Sequence, residues 1–456
     1  MKNTKQKFSL TFHGGVGSVT GANFLLESPE GLRVLVDCGL FQGGKVCEED
    51  NRADFPYDPS TIDFLLITHG HLDHVGRIPK LVKDGFRGQI ISTPPTKDIA
   101  ELIMTDSIGV MSKEAKRTGQ DPFYSLADVE QTMSLWQTKD YYEKFTIGSL
   151  EVEQKNAGHI LGSSIFAIEG FERRIFFTGD LGSSPAPLLG DVDSVVGADY
   201  LIMESVYGDR EHEDRQHRRE HLQRIIKETL NQGGTLMIPA FSIERTQQLL
   251  FEISGLMARS EIPLVPVFLD SPLAIAVTEV YRRYKNYLKE SVEDLATERN
   301  IFHFPQLHLT KTTDESKAIA SAPARKIIIA GSGMSNGGRI IHHEKMFLPD
   351  KKNTLLLVGY QAAGSLGRVL QDGVKVVKIL GTEVPVAARI ETISGYSAHA
   401  DSAGLLNLVA EATESLQTVF TVMGEPKSSW ALAQRINDYL GIKAIAPDPG
   451  QKVILD

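Results

Sequence analysis

The stretch Thr68-His69-Gly70-His71-Leu72-Asp73-His74 follows directly on the apolar run Ile62-Asp63-Phe64-Leu65-Leu66-Ile67. It places three imidazoles and a carboxylate where a buried strand runs out into a loop, a dense set of metal-ligand types. Residues two apart on an extended backbone point the same way, so His69 and His71 are placed to grip one ion. Asp73 and His74 come after the turn toward the helix read over Val75-Gly76-Arg77-Ile78-Pro79-Lys80-Leu81-Val82, and face a second ion beside the first. A lone histidine elsewhere in the chain reads as an ordinary surface or core residue. Four such groups packed behind one strand do not, because burying them uncompensated would be costly.

A centre at a strand exit needs further ligands from other strand exits, and the chain offers them. Asn156-Ala157-Gly158-His159-Ile160-Leu161-Gly162 puts a histidine among small residues, Arg174-Ile175-Phe176-Phe177-Thr178-Gly179-Asp180 ends an apolar strand in a carboxylate, and Asp199-Tyr200-Leu201-Ile202-Met203-Glu204 has the same form. Singly, each is ordinary turn chemistry; together they form a pattern. Asp37, at the end of Leu32-Arg33-Val34-Leu35-Val36, reads either as a ligand or as a carboxylate orienting the histidines from behind. Between Thr96 and Phe145 apolar residues such as Ile99, Ile103, Val129 and Met133 recur at helical intervals and read as scaffold.

The chain's 456 residues exceed one ordinary core, so two domains are expected. The segment Met1 to Lys7 is basic, but no long apolar run follows it, which argues against a secretory signal and a membrane span. Cys38 and Cys47 are too few for a disulfide framework, and a reducing cytoplasm fits. The net charge of -10 argues against non-specific coating of nucleic acid, but a locally positive cleft and bound dications leave RNA and DNA both open.

After Tyr207 the character changes. A charged helix runs from His212 to Asn231, and its basic run Arg215 to Arg219 reads as a solvated face. Strand and helix units then alternate, with Ser242 as N-cap of a helix over Ile243 to Met257, indicating an α/β domain with a mainly parallel sheet. The loop Gly331-Ser332-Gly333-Met334-Ser335-Asn336-Gly337-Gly338 lies between a strand and a helix. Its spacing differs from a dinucleotide fingerprint, and it reads as a site for a phosphate of a polymeric substrate, with Ser332, Gly333 and Ser335 as contacts. Val384 to Ile393 reads as one strand, His399 lies in a late strand-exit loop, and Thr418-Val419-Phe420-Thr421-Val422 reaches Met423-Gly424-Glu425.

These motifs resemble the metallo-β-lactamase superfamily, and the inserted α/β domain, with Glu204 before it and His399 after it, looks like its β-CASP branch. That branch includes the pre-mRNA 3′-end processing endonuclease and RNase J. Ser332-Gly333-Met334, Val358-Gly359-Tyr360-Gln361-Ala362 and Ser397-Ala398-His399-Ala400-Asp401 resemble its RNA-processing members. The resemblance implies an αββα sandwich with an inserted, mainly parallel α/β domain: residues 1–208 and 385–456 for the sandwich, 209–384 for the insert. It implies two zinc ions, one held by His69, His71 and His159, the other by Asp73 and His74, with Asp180 bridging. Asp73, Glu204 and His399 would be catalytic, with Asp73 positioning the nucleophile and His399 donating a proton to the leaving oxygen or binding a non-bridging one. The implied activity is hydrolysis of single-stranded RNA between the two domains, endo- and 5′-exonucleolytic cutting both being open, in the cytoplasm and without a membrane; a homodimer is compatible with it.

One position departs from the pattern. RNA-processing members carry a histidine before the Gly-Glu pair, completing the second zinc; this chain has Met423, and a thioether is a poor zinc ligand beside carboxylates, so the second site is expected to be weak. DNA-processing members carry valine there. A DNA nuclease and a non-catalytic RNA-binding subunit therefore stand as alternatives.

Overall fold

Apolar strands that alternate inward and outward faces build two sheets in the first of two compact units, residues 1–211 with 399–456. The computed structural model describes residues 7–43, 45–212, 217–298 and 301–456; the basic segment before Lys7, and Arg215 and Gln216 of the basic run, lie outside them. Among the described residues, one sheet has the order Lys452–Leu455, Phe8–Gly14, Asn23–Glu27, Arg33–Val36, Phe64–Leu66, Gln89–Ser92, Trp136–Thr138. The other has the order Lys443–Ile445, Thr418–Val422, Tyr200–Glu204, Arg173–Phe177, Ser164–Gly170, Leu150–Asn156, Phe145–Ile147. The sheets face each other across a core that includes Leu10, Phe12, Phe24, Val36, Phe166, Phe177, Ile202 and Phe420. Helices Ser402–Ala410 and Pro426–Arg435 cover the outer face of the second sheet through Leu405, Val409 and Leu432. Helices Ile78–Lys83, Pro94–Thr118 and Leu126–Ser134 accompany the first sheet and bury Ile78, Leu81, Ile99 and Val129. This is the expected αββα sandwich.

Within each sheet the strands that matter for chemistry are parallel. Arg33–Val36, Phe64–Leu66 and Gln89–Ser92 pair in parallel, as do Arg173–Phe177, Tyr200–Glu204 and Thr418–Val422. Parallel pairing puts their carboxyl ends on one edge, and so brings together Asp37, His69, Asp180, Glu204 and Met423, which are far apart in sequence.

The second unit covers residues 212–398. Its sheet has the order Leu307–Leu309, Val267–Asp270, Lys326–Ala330, Thr235–Pro239, Thr354–Val358, Arg389–Ile393, and every pairing in it is parallel. The middle strands are buried on both faces and read as unbroken apolar runs, as parallel sheets require.

The structure redraws two details of the sequence reading. Val384 to Ile393 is not one strand: Thr382–Pro385 closes a hairpin with Val376–Ile379, and Arg389–Ile393 pairs with Thr354–Val358, so residues 385–398 lie in the second unit instead of returning to the first. The helix expected from Ile243 begins at Arg245, and Glu244, with φ 59°, takes the cap position in place of Ser242. A left-handed residue cannot continue a helix backward, and nothing in residue type alone signals one at a glutamate.

Candidate metal centre

The six candidate metal ligands of the sequence reading all lie at one edge of the sandwich, in two groups that share Asp180: His69, His71, His159 with Asp180, and Asp73, His74 with Asp180. His69 follows the strand Phe64–Leu66; His71 is the N-cap of the short helix Leu72–Val75, which carries Asp73 and His74. His159 and Asp180 each follow a left-handed glycine, Gly158 at φ 66° and Gly179 at φ 56°. A Cβ on Gly179 would lie 2.6 Å from Thr68 side-chain atoms, so the close approach of the two loops needs glycine there.

The donor atoms of the first group face one another. His69 Nε2 lies 3.0 Å from His71 Nδ1, and His159 Nε2 lies 3.2 Å from the same atom. Asp180 Oδ2 is 3.5 Å from His69 Nε2 and 3.6 Å from His159 Nε2. Tetrahedral nitrogen and oxygen ligands around zinc stand roughly 3.3 Å apart, given bonds of about 2.0–2.1 Å, so the set fits a tetrahedral zinc. Burial, with neighbouring imidazoles adding to it, holds His69 and His159 well below the usual histidine pKa and His71 at about 3, so all three are neutral and offer lone pairs.

The second group is thinner. His74 Nε2 is 3.3 Å from Asp180 Oδ1 and 4.0 Å from Asp73 Oδ2. His74 Nε2 and Asp180 Oδ1 are both buried without a hydrogen-bond partner among the described residues, which is the mark of atoms shaped for an ion between them. The residues therefore fit two cations, with three protein ligands at the second.

Behind the ligands stands a layer that fixes them. Asp37, at the exit of Arg33–Val36, accepts the backbone N–H of Thr68 at 2.8 Å and the Thr68 hydroxyl at 2.7 Å, and lies 2.7 Å from His74 Nδ1. Asp37 thus orients His74 from behind, one of the two roles the sequence left open. Thr68 Oγ1, its proton given to Asp37, accepts from His69 Nδ1 at 3.1 Å and so turns His69 Nε2 toward the centre. The sequence reading missed Thr68; its position beside His69 was the available signal.

Glu204 and His399 form a second constellation with Asp180. Glu204 is wholly buried; its Oε1 accepts the Leu181 N–H at 2.5 Å, and both its oxygens lie 3.2 Å from His399 Nδ1. His399 is a quarter exposed and lies 3.9 Å from Asp180 Oδ2. Burial pulls the imidazole down, but the Glu204 and Asp180 carboxylates outweigh it and hold His399 at about 9. Asp73, whose side chain is 18 % exposed, is pushed up to about 6 by burial.

Met423 does not join the ligands. It is 2 % exposed, stands in the core between the sheets at φ 48°, and lines a small cavity with Asp37, Thr68 and His74.

In the second unit the three expected substrate contacts separate. Ser332 is half-buried, and its Oγ accepts the Asn336 N–H at 3.1 Å. The Gly333 carbonyl accepts from Gln361 Nε2 at 3.1 Å. Ser335, at φ 58°, is turned inward, and its hydroxyl donates to Glu344 Oε1 at 2.5 Å. Ser335 thus holds the loop's shape and does not face solvent.

The comparisons with known proteins agree with this architecture. Residues 18–224 match the metallo-beta-lactamase superfamily, 246–370 the Beta-Casp domain, and 383–447 the Zn-dependent metallo-hydrolase RNA specificity domain. The chain is 38% identical to Ribonuclease TTHA0252 of Thermus thermophilus, over 92% of this chain and 94% of that one. It is 31% identical to an RNase J-like protein of Methanocaldococcus jannaschii, covering 97% and 98% of the two chains. With transcription termination factor FttA of Methanosarcina mazei it shares 32% identity over 96% of this chain and 70% of that one. A crystal structure of a protein of unknown function from Enterococcus faecalis V583 shares the fold at a TM-score of 0.57 and 15% identity, over 98% of this chain and 100% of that one. Among the described residues no helix is long and apolar enough to cross a membrane. The chain belongs to the β-CASP ribonucleases, metal-dependent hydrolases of the metallo-β-lactamase superfamily, and its substrate is RNA.

Proposed function

We propose that the chain is a zinc-dependent ribonuclease that hydrolyses phosphodiester bonds of single-stranded RNA, with one zinc on His69, His71, His159 and Asp180 and a second, weaker one on Asp73, His74 and Asp180. The observation that carries this reading is the convergence of His69 Nε2, His71 Nδ1 and His159 Nε2 at 3.0 and 3.2 Å, all neutral, His69 and His159 buried and His71 half-buried, beside a carboxylate. When bound, the ions supply Lewis acidity and compensate the charge that gathers on the phosphate oxygens. The chain's own residues do the rest. Asp73, partly exposed at the edge of the centre, orients the attacking water. His399, held near 9 by Glu204, carries the proton for the leaving oxygen. Glu204 has no exposure and is a positioning residue that acts through His399. Ser332 meets a phosphate of the strand, while Gly333, buried against the Phe241 ring, and Ser335 shape the loop. The free thiols Cys38 and Cys47 support a cytoplasmic setting.

The test is cleavage of labelled single-stranded RNA, and of DNA of the same sequence, before chelation, after it, and after zinc is returned. Loss of RNA cleavage in chelator and its recovery with zinc is expected, with DNA cut slowly. Undiminished cleavage in chelator, or none with zinc, overturns the reading. Met423 favours one second reading, an RNA-binding subunit without turnover, which predicts binding but no cleavage under every metal condition.

A further inference from the structure

Three adjacent strands of the parallel sheet, Lys326–Ala330, Thr235–Pro239 and Thr354–Val358, end in loops at one edge. In open α/β sheets that carboxyl edge is where ligands bind. Among the described aromatic side chains of the second unit, those more than two-fifths exposed are Phe241, at 43%, and Tyr360, at 54%. Both lie on these loops, Phe241 two residues beyond one strand and Tyr360 two beyond another. Both are also tied to the third loop at one residue. A Cβ on Gly333 would lie 2.7–3.0 Å from Phe241 ring atoms, so the ring lies directly on the glycine backbone. Gln361, beside Tyr360 and 2 % exposed, donates from Nε2 to the Gly333 carbonyl at 3.1 Å.

The loops are built, not loose. Thr246 Oγ1 donates to the Phe241 carbonyl at 2.7 Å, Gln247 Nε2 donates to the Ser242 carbonyl at 3.2 Å, and Leu366 N–H donates to Asn336 Oδ1 at 3.0 Å. The two exposed rings stand on the loops of adjacent strands at the edge where open sheets bind ligands. On the loop after the neighbouring strand stands Ser332, half-buried, whose Oγ accepts from Asn336 and keeps its own proton to donate. Exposed π-faces on two adjacent loops, with a hydroxyl donor on a glycine-rich turn beside them, offer what a single strand carries, bases and phosphates.

We propose that Phe241 and Tyr360 stack on bases of single-stranded RNA, beside a phosphate that meets Ser332, and so form a sequence-tolerant subsite at the carboxyl edge of the parallel sheet. Every base has a π-face, so the subsite grips the strand without reading it. This inference rests on the ribonuclease reading and adds where the strand is held.

The test uses the full chain in chelator, so that RNA stays whole, with anisotropy of a labelled short oligoadenylate and the emission of an aminopurine-substituted copy, which stacking quenches. Wild type is expected to bind and quench. Phe241→Ala and Tyr360→Ala should each weaken binding about tenfold to a hundredfold and relieve quenching, whereas Phe241→Trp should stay within about threefold of wild type. The thermal midpoint should barely move, because both side chains are exposed. If both alanine variants bind and quench like wild type while wild type cleaves RNA in zinc, the stacking subsite is wrong and the ribonuclease reading stands. If wild type neither binds RNA in chelator nor cleaves it in zinc, both fall.

Discussion

The carboxyl edges of the two units use the same device to opposite ends. In the sandwich, parallel strands deliver imidazoles and carboxylates, backed by Asp37 and Thr68, into a buried pocket of lone pairs. In the second unit, parallel strands deliver glycines, a hydroxyl and exposed rings. One edge is shaped for cations, the other for a strand of anions and bases. The same topology therefore sets where chemistry sits, and the side chains at the last residues of each strand set what that chemistry is.

The sharpest way to break the contrast is at Asp180, which both ligand groups share. Asp180→Asn keeps the shape and removes the charge that the two proposed cations would share. RNA cleavage should fall by about a thousandfold or more, and zinc per chain, measured by elemental analysis, should fall at both sites. Nothing at the other edge should change, so oligonucleotide binding in chelator should be retained. Retained zinc in Asp180→Asn would dissolve the distinction between the edges.

The second unit has its own buried acid, and it responds to pH instead of metal. Glu344 is wholly buried, with Ser335 as its hydrogen-bond donor, and burial pushes it from 4.5 up to about 7. A carboxyl whose folded pKa is raised stabilises the fold fully below its unfolded pKa. That contribution is lost as pH rises from about 4.5 through about 7. Across this window unfolding free energy should drop by about 2–3 kcal/mol more in wild type than in Glu344→Gln, which cannot ionise. Denaturant titration at pH values on either side of the window measures it; parallel pH profiles would mean that Glu344 titrates alike in the folded and unfolded chain.

What was legible in the chain follows the range of the interactions. The candidate ligands His69, His71, Asp73 and His74 are neighbours in sequence, and a strand running out to Asp180 or a loop around His159 announces itself by residue type. The parallel insert was legible from alternating strand and helix units, whereas the sandwich came only with the resemblance its motifs carry. What was not legible depends on backbone turned the rare way or on partners far off in the chain. Ser335 points inward because its φ is 58°, and Glu244 delays its helix at φ 59°. Residues 385–398 stay with the second unit because Arg389–Ile393 finds Thr354–Val358. Glu204 looked like a group that touches substrate, and its burial and its contacts with the Leu181 N–H and His399 Nδ1 were out of reach of residue type.

The positioning role proposed for Glu204 has a smaller and separable signature. Glu204→Gln keeps an acceptor for Leu181 but withdraws the charge that holds His399. Outer partners of site histidines are worth about 10–100-fold, so kcat should fall in that range while KM and zinc content stay near wild type. Loss of zinc with the rate would instead make Glu204 part of an ion site.

The smallest expected effect tests the asymmetry inside the metal centre itself. Met423 occupies apolar core beside the cavity that His74 lines, at φ 48°, a conformation that histidine accepts more readily than most residues. Met423→His therefore exchanges a packed thioether for an imidazole in a place where only a cation would reward it. In chelator the variant should lose about 1–2 kcal/mol of stability, the ordinary penalty for a polar ring in a core. With zinc, that loss should be recovered, zinc per chain should rise toward two, and cleavage should quicken by about tenfold. Recovery without added zinc in the protein would mean that residue 423 faces only the core and that the second site is complete with Asp73, His74 and Asp180. Cleavage absent both before and after the substitution, with RNA still bound, would instead leave the chain as a binding subunit on a nuclease fold.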